Sequence, residues 1–339
     1  MTIKEAFAKQ LQDAQQTGQM NLKVFVQALE PVFAAEGYRQ KQKGSVQQIL
    51  VIRLDAIGDN VLNSGFLREL RRNCPKAQIT LVVNPVVYNL VELCPYVNEI
   101  LVYPGASKGS FVERYTWAME LCEQKLWQHH FDLCICPRWD FDKYFALFLG
   151  YMSGARERAG YSEKLYAGKA KVNAGYDDFL TKAVMNPPEL LHEVERNLFL
   201  LKALGMTVQD DSLELWYSPA DSIKAGKLLH GFGKGKRLVA VALGANETNK
   251  AYPAELYAEA LAEIAAKYPV GFILLGGPAD QSAGNLIVGK LPEGMAMDLS
   301  GKTSLRESAA VLARTSVYIG NDTGLTHMAA ALKRVILEI

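Results

Sequence analysis

Residues 319–332, I-G-N-D-T-G-L-T-H-M-A-A-A-L, combine a short apolar run, a tight turn and the first turns of an apolar helix. Asp322 occupies the position expected of a helix N-cap, and Thr323 and Gly324 follow in the first turn. The unpaired N–H groups and the positive dipole end of such a helix bind phosphate. This strand–turn–helix segment therefore predicts a nucleotide or nucleotide-sugar ligand.

Strand-like and helix-like segments alternate along the chain in two series. The first series begins with the apolar residues 49–54, and the second begins at 239–243 and ends at 335–339. Such alternation predicts an α/β fold with two doubly wound parallel sheets. After the first strand we expect a turn at 57–59 and a helix to about residue 72, and further on a helix over 141–152. The predicted domains are 1–45, a helical N-terminal extension, 46–215 and 216–339.

The helical extension has two interpretations. It is either a cap on the main body or a helix pair that docks on a partner or a membrane surface. A membrane-surface helix normally has a large apolar moment and a basic face. The apolar face here is moderate and the basic residues are few, which favours the cap.

The composition of the 339 residues fits a globular protein of two domains, because a domain usually has about 100–200 residues. Apolar residues make up 49%, and the net charge of +1 gives no indication of nucleic-acid binding. No apolar run approaches the ~20 residues of a membrane-spanning helix, and the N-terminus lacks the apolar core of a signal peptide. We therefore expect a cytoplasmic protein.

The five cysteines indicate buried thiols in a reducing compartment. Their number is odd, and Cys134 and Cys136 alternate within an apolar run. The sequence has no C-x-x-C motif, and its histidines do not cluster near paired cysteines. We therefore expect no metal site.

Polar residues follow the strand ends of the first series, where ligands of open α/β sheets bind. Asp59, in R-L-D-A-I-G-D-N, either takes a proton from an attacking hydroxyl or caps a helix. Asp55 is expected only to hydrogen-bond within the local turn. Arg138 and Trp139 suit an anionic acceptor and a sugar ring, and a surface salt bridge and a packing role are equal alternatives.

The second series offers a further set of candidates. Gly244 allows close approach of a ligand, and Lys250 either neutralises a leaving diphosphate or lies in solvent. In L-L-G-G-P-A-D-Q, Gly276 and Gly277 open a space, and Asp280 either meets a ribose hydroxyl or caps the next helix. His327 either faces the phosphates or lies at the edge of the core. Because G-x-G-x-x-G is absent after either first strand, a nicotinamide enzyme is disfavoured.

Together, R-x-D-x-I-G-D, G-A-N-x-x-x-K-x-Y-P, L-L-G-G-P-x-D and N-D-T-G-x-x-H-x-A-A-A-L resemble glycosyltransferase family 9. This is the family of the ADP-heptose:lipopolysaccharide heptosyltransferases. The resemblance extends from about residue 49 to 339, and its last motif is the most specific. It implies a GT-B fold, in which two Rossmann-like domains face each other across a cleft. Domain 46–215 would bind the acceptor and domain 216–339 the nucleotide sugar, with inversion and with no metal or other cofactor.

The resemblance also implies roles for individual residues. Asp59 matches the general base of the family, and Lys250 the lysine that contacts the donor diphosphate. Residues 322–324 match the phosphate-binding turn, with His327 behind it, and Asp280 stands where heptosyltransferases often carry Glu. The predicted donor-binding residues are Gly244, Asn246, Gly277, Asp280, Asp322, Thr323, Gly324 and His327, and the predicted acceptor-binding residues are Arg53, Arg138 and Trp139.

We therefore expect transfer of a sugar, with heptose as the first candidate, from an ADP-sugar to lipopolysaccharide or another cell-envelope glycan. The expected partners are the nucleotide sugar and a glycan or glycolipid acceptor, which allows peripheral contact with the cytoplasmic face of the inner membrane. Two hypotheses stay open beside this one. A nucleotide-sugar epimerase of GT-B fold would need no acceptor, and a non-catalytic nucleotide-sugar-binding protein would use the N-terminal helices for docking.

Three features depart from the family pattern. The segment before Gln48 is not part of the family core. The element P-R-W-D at 137–140 indicates a divergent branch and leaves the acceptor open. Family members normally continue beyond the position of Ile339, so we expect a donor domain that is truncated at its C-terminus.

Overall fold

The computed structural model describes residues 1–18, 20–38, 46–185, 192–244 and 252–339. In these ranges the chain forms two sheets, of six and five strands, and all paired strands are parallel. The predicted α/β class is therefore confirmed. No helix of the described ranges combines the length and the apolar character needed to cross a membrane.

The strands and helices follow one another in the alternating order that the sequence predicts. The strands are β1 Gln48–Arg53, β2 Gln78–Val83, β3 Glu99–Val102, β4 Leu133–Cys136, β5 Glu157–Tyr161, β6 Lys182–Val184, β7 Arg237–Ala242, β8 Val270–Leu275, β9 Ala296–Asp298, β10 Val317–Gly320 and β11 Val335–Glu338. The helices are α1 Ile3–Thr17, α2 Leu22–Ala35, α3 Ile57–Leu62, α4 Ser64–Asn73, α5 Tyr88–Val91, α6 Phe111–Leu121, α7 Ala146–Met152, α8 Ala167–Val172, α9 Glu193–Ala203, α10 Pro219–Leu228, α11 Ala254–Lys267, α12 Gln281–Lys290, α13 Leu305–Leu312 and α14 Gly324–Ala331.

The first compact unit consists of Met1–Ala56, Gly65–Tyr88 and Pro95–Asp211. Its sheet has the order β3-β2-β1-β4-β5-β6, which is the order of a dinucleotide-binding Rossmann sheet. The central strand β1 is buried along most of its length because helices cover both faces of the sheet. The strand order reverses between β1 and β4, so the carboxyl ends of these two strands mark the switch point of the unit.

The N-terminal helices α1 and α2 belong to the core of the first unit. Phe25 of α2 is fully buried, and its ring centroid lies 5.5 Å from that of Phe148. Phe33 makes an edge-to-face contact with Tyr151, with the centroids 5.6 Å apart. Buried aromatic pairs of this kind contribute about 0.5–1.5 kcal/mol each beyond their area. The extension is thus packed into the unit through an aromatic cluster.

The second compact unit consists of Ile57–Ser64, Asn89–Cys94 and Ser212–Ile339. Its sheet has the order β11-β10-β7-β8-β9, so the switch point lies between β7 and β10. Two short segments from the first half of the sequence, including α3, are therefore packed with this unit. In the remaining chain the units change between Asp211 and Ser212.

Two helix predictions are corrected by the structure. The predicted helix to about residue 72 is interrupted and forms α3 and α4. The predicted helix over 141–152 begins only at Ala146. The carboxylate of Asp142 accepts hydrogen bonds from the N–H groups of Tyr144 and Leu147 at 3.0 and 2.8 Å. Phe145 has a left-handed φ of 67°, which prevents a helix from starting earlier.

Candidate active site

The second unit contains an open cavity of about 490 Å³, a volume typical of small-molecule sites. It lies at the carboxyl ends of β7, β8 and β10, where ligands bind in open α/β sheets. Five of the predicted donor-binding residues line it: Gly244, Gly277, Asp280, Thr323 and Gly324.

Two helices begin at the wall of this cavity. Ser304 is the N-cap of α13 and Thr323 is the N-cap of α14, and both residues line the cavity. The first residues of the two helices, Leu305 and Gly324, line it as well. The N–H groups and dipoles of two helices therefore meet at one place, which favours a ligand with more than one negative charge.

Asp322 is not the N-cap of α14, which corrects the sequence prediction. The cap is the next residue, Thr323, which has extended backbone angles and donates its N–H to Thr326 Oγ1 at 3.3 Å. Asp322 is 71% exposed, and its Oδ1 atom lies 3.6 Å from Nε2 of His327. Neither Asp322 nor His327 is among the described residues that line the cavity.

Glycines keep the cavity open beside Asp280. A Cβ atom on Gly244 would lie 2.7 Å from Oδ2 of Asp280, and one on Gly276 would lie 2.8 Å from its Cβ. The Asp280 carboxylate accepts the N–H of Gly277 at 2.7 Å and closes the short turn Pro278–Asp280. Asp280 occupies the N-cap position of α12, but its side chain makes no cap bond to that helix. Any larger residue at position 244 or 276 would displace the Asp280 side chain.

Asp59 is the third residue of α3, so the N-cap alternative is wrong for this residue. Its carbonyl accepts the N–H of Asn63 at 3.0 Å, and its side chain is partly exposed. Ile57, two residues earlier in the same helix, lines the cavity. The candidate base is thus carried by a helix whose first residue reaches the donor cavity.

His327 lies against α3. A Cβ atom on Gly58 would collide with its Cδ2 atom and would lie 3.0 Å from its Nε2 atom. Its imidazole is 29% exposed. These contacts are to α3 and to Asp322, and the two predicted roles of His327 stay predictions. The predicted donor-binding residue Asn246 and the predicted catalytic residue Lys250 lie in 245–251, outside the described residues.

The carboxyl edge of the first sheet is occupied by paired charges. Arg53 ends β1 and is 1% exposed, and its Nε atom lies 2.7 Å from Asp55 Oδ2. Its other nitrogens donate to the Pro137 carbonyl at 3.0 Å and to Glu193 at 2.9 Å. Arg138, which follows β4, contacts the second carboxylate oxygen of Asp55. Burial, and the positive charge of Arg53, lower the pKa of Arg138.

Asp55 is a residue whose importance the sequence analysis missed. It is buried and lies between two guanidinium groups that come from different strand ends. The local-turn prediction missed this role because β1 and β4 become neighbours only in the folded sheet. The available signal was an arginine at or just after the end of each of these two strands, with Asp55 two residues beyond the first arginine.

Trp139 is held by two neighbours. Its ring stacks on that of Tyr166 with the centroids 5.2 Å apart and the planes at 20°. The guanidinium carbon of Arg196 lies 3.8 Å from the Trp139 ring centroid, a close cation–π distance. These contacts correspond to the packing alternative, and they leave the sugar-stacking role a prediction.

A buried lysine, Lys169, supports the segment after β4 that carries Trp139. No local pattern in the sequence indicated that this lysine is buried. Lys169 is 1% exposed, and its Nζ atom donates to the carbonyls of Trp139 at 2.8 Å and Tyr161 at 3.1 Å. Burial lowers the pKa of Lys169 to about 8, and the carboxylates of Asp142 and Asp140 partly oppose this shift. The lysine therefore ties the segment after β4 to the end of β5.

Two Rossmann-like units, one of which carries an open cavity at the carboxyl ends of its strands, define an α/β protein of two units with a candidate ligand site. The family model "Glycosyltransferase family 9 (heptosyltransferase)" matches residues 146–338, more than half of the chain. The lipooligosaccharide heptosyltransferase 2 of Haemophilus ducreyi is 24% identical over 304 residues, which cover 85% of this chain and 80% of that protein.

Solved structures share the fold. The glycosyl transferase family 9 structure from Veillonella parvula has a TM-score of 0.73 at 22% identity and covers 86% of this chain and 80% of that one. The Escherichia coli ADP-heptose lps heptosyltransferase II has a TM-score of 0.65 at 20% identity and covers 86% and 84%. This chain belongs to glycosyltransferase family 9, and it is a glycosyltransferase of the GT-B fold.

Proposed function

We propose that this chain transfers a sugar, with heptose as the first candidate, from an ADP-sugar to a hydroxyl of lipopolysaccharide or another cell-envelope glycan. The observation that carries the proposal is the cavity of the second unit, where two helix N-termini and the glycine-lined strand ends converge. The names of the relatives support the donor and acceptor classes. The proposed location is the cytoplasm, with peripheral contact at the inner membrane, and no cofactor beyond the donor substrate is proposed.

The leaving diphosphate is proposed to lie at the starts of α13 and α14. Negative charge grows on the diphosphate oxygen as its bond to the anomeric carbon breaks. Backbone N–H groups and helix dipoles that already point to this place stabilise that charge without reorganising. Lys250 is proposed to add a positive charge on the same side. These groups would support transfer that needs no divalent ion.

Asp59 is proposed as the general base. Its carboxylate takes the proton of the acceptor hydroxyl, while the hydroxyl oxygen forms the new bond to the anomeric carbon. Attack occurs on the face opposite the diphosphate, so the configuration of the anomeric carbon is inverted and the nucleoside diphosphate departs. Ile57 supports this role, because it belongs to the same helix as Asp59 and lines the cavity.

The acceptor is proposed to bind at the carboxyl edge of the first unit. Arg138 is 13% exposed, so its guanidinium still reaches the surface while it contacts Asp55. Trp139 offers the edge of a ring that is already fixed by Tyr166. Arg53 is proposed to have a positioning role and not to contact the acceptor directly. Its side chain is 1% exposed and pairs with Asp55 and Glu193.

A nucleotide panel tests the donor class. We expect ADP and ADP-heptose to raise the melting temperature more than UDP, GDP or NAD at equal concentration. A ligand at a hundred times its Kd adds about 2.7 kcal/mol to the free energy of unfolding, so a specific ligand gives a clear shift. Equal shifts from all five nucleotides, or none from ADP, would overturn the ADP-sugar proposal.

A further inference from the structure

Helices α3 and α14 of the second unit approach each other through a glycine on each side. A Cβ atom on Gly324 would lie 2.6 Å from Cγ2 and 2.7 Å from Cβ of Ile57. A Cβ atom on Gly58 would collide with the imidazole of His327. Since heavy atoms at ordinary van der Waals contact are about 3.5–4.0 Å apart, each helix uses its glycine to accommodate a side chain of the other.

The imidazole of His327 is located between two features of the proposed site. One ring edge faces Gly58, the residue directly before Asp59. Its Nε2 atom lies 3.6 Å from Oδ1 of Asp322, in the turn that leads into α14. The contact to α3 is made by a ring carbon, so the shape of the ring sets the distance between the helices at this point.

We infer that His327 is a positioning residue: its ring, seated against Gly58, sets the place of α3 on α14 and thereby the place of Asp59 relative to the phosphate-binding helix start. This inference rests on the proposed function, in which Asp59 is the base and the start of α14 holds the diphosphate. A misplacement of about 1 Å at a reacting group can lower the rate about a hundredfold. The Gly58–His327 contact therefore acts on the rate of transfer without touching the substrate.

A double-mutant cycle tests the inference through the four combinations of Gly58→Ala and His327→Ala. We expect each single change to lower kcat about tenfold to a hundredfold, while the Kd for ADP stays within about threefold. In the double variant, the methyl group added at position 58 would occupy space that the imidazole has left. The kcat of the double variant should therefore be no lower than that of His327→Ala, so the two effects are not multiplicative.

Gly289→Ala is the matched control. Gly289 also lies inside a helix of the second unit, and a Cβ atom there would meet nothing within 4 Å. Its kcat and its Kd for ADP should equal those of the unchanged protein. The double variant guards against misfolding, because it lacks the collision that Gly58→Ala introduces.

Two results would overturn the inference. Multiplicative losses in the double variant would show that the two residues act independently. A loss of ADP affinity in His327→Ala as large as its loss of kcat would make His327 a ligand contact. Asp59→Asn separates this inference from the proposed function. If that variant is inactive while the cycle is multiplicative, the function stands and the positioning role fails; if it transfers sugar normally, Asp59 is not the base and a role in positioning it fails as well.

Discussion

In the second unit the neighbouring strands β7 and β8 lead into glycines, whereas in the first unit the switch-point strands β1 and β4 lead into charged side chains. Gly244 and Gly276 follow β7 and β8 and border a cavity of about 490 Å³. Arg53 and Arg138 lie at the strand ends of β1 and β4, and Asp55 joins them. The two sheets are both doubly wound, but one has an open cavity at its carboxyl edge and the other has paired charges there. A few residues at the ends of the strands make this difference.

The two edges should also differ in what a substitution changes. We call the carboxyl ends of β7, β8 and β10 in the second unit the open edge. There the ligand takes the place of water, so substitutions alter binding and rate more than stability. We call the carboxyl ends of β1, β4 and β5 in the first unit the filled edge. Its charges are largely buried and depend on one another, so removal of one partner leaves an uncompensated charge and lowers stability. Substitutions at each edge can therefore be used to separate the two kinds of effect.

The largest expected effect is that of Asp59→Asn on the rate. Loss of a general base typically costs about 10²–10⁴-fold in rate, while ADP binding should stay nearly unchanged. The measurement is kcat together with the Kd for ADP. The control is Glu255→Gln, which changes another first-turn carboxylate of the same unit, on the exposed surface of α11. Normal turnover in Asp59→Asn would remove Asp59 as the base.

Asp55→Asn should have the largest effect on stability. The variant keeps the shape of the side chain but leaves two guanidinium groups, of which that of Arg53 is buried, without their shared charge. Removal of one partner of a buried charge pair typically costs about 3–5 kcal/mol. Urea unfolding followed by tryptophan fluorescence suits this test, because Trp117, Trp127 and Trp139 lie in the first unit.

The control for Asp55→Asn is Glu123→Gln. Glu123 pairs with Lys4 at 2.7 Å, but both side chains are exposed, so the change should cost about 1 kcal/mol or less. Equal losses in the two variants would contradict the distinction between the buried and the exposed pair.

Lys169, at the filled edge, makes the free energy of unfolding depend on pH. Its pKa falls from the ordinary value of 10.5 to about 8 on burial, so between these values the unfolded chain binds more protons than the folded one. The contribution of Lys169 to stability therefore increases as the pH rises from about 8 to about 10.5.

The comparison with Lys169→Met measures this effect. The difference in free energy of unfolding between the unchanged protein and the variant should widen across this pH range, by about 1.4 kcal/mol for each unit of pKa separation. A constant or shrinking difference in urea titrations at several pH values would contradict the assignment.

The smallest expected effect is that of Gly277→Leu on the open edge. Gly277 has an ordinary φ of −80°, and a Cβ atom there would come no closer than 3.9 Å to Asp280. Stability should change little, while the Kd for ADP should rise about tenfold, or about 1.4 kcal/mol. Gly289→Leu, away from the cavity, is the control in calorimetric titration. If Gly277→Leu binds ADP as tightly as the unchanged protein does, the nucleotide does not lie at the open edge.

The sequence alone predicts much of the open edge and little of the filled edge. Apolar strands and the motif around residues 319–332 are local patterns, so they predicted both sheets and the residues at the start of α14. The pairing of Asp55 with Arg138 depends on strand order, and local patterns do not contain it. The same holds for the packing of α3 on α14 through Gly58, which brings together residues far apart in the sequence.

Local detail was also beyond the sequence in two places. The N-cap of α14 is Thr323 and not the predicted Asp322. Both residue types are favoured N-caps, and only the backbone angles distinguish them. Lys169 lies in a polar stretch that resembles an exposed loop, and its burial follows from the position of α8 against the end of β5. Neither feature has a periodic signature in the sequence.

Hydrogen–deuterium exchange with and without ADP tests the central claim most directly. If the open edge of the second unit is the nucleotide site, ADP should slow exchange in peptides covering 276–281, 301–308 and 322–328. Exchange in 137–142, at the filled edge of the first unit, should stay unchanged. Protection at 137–142 without protection at the three segments of the second unit would contradict the account.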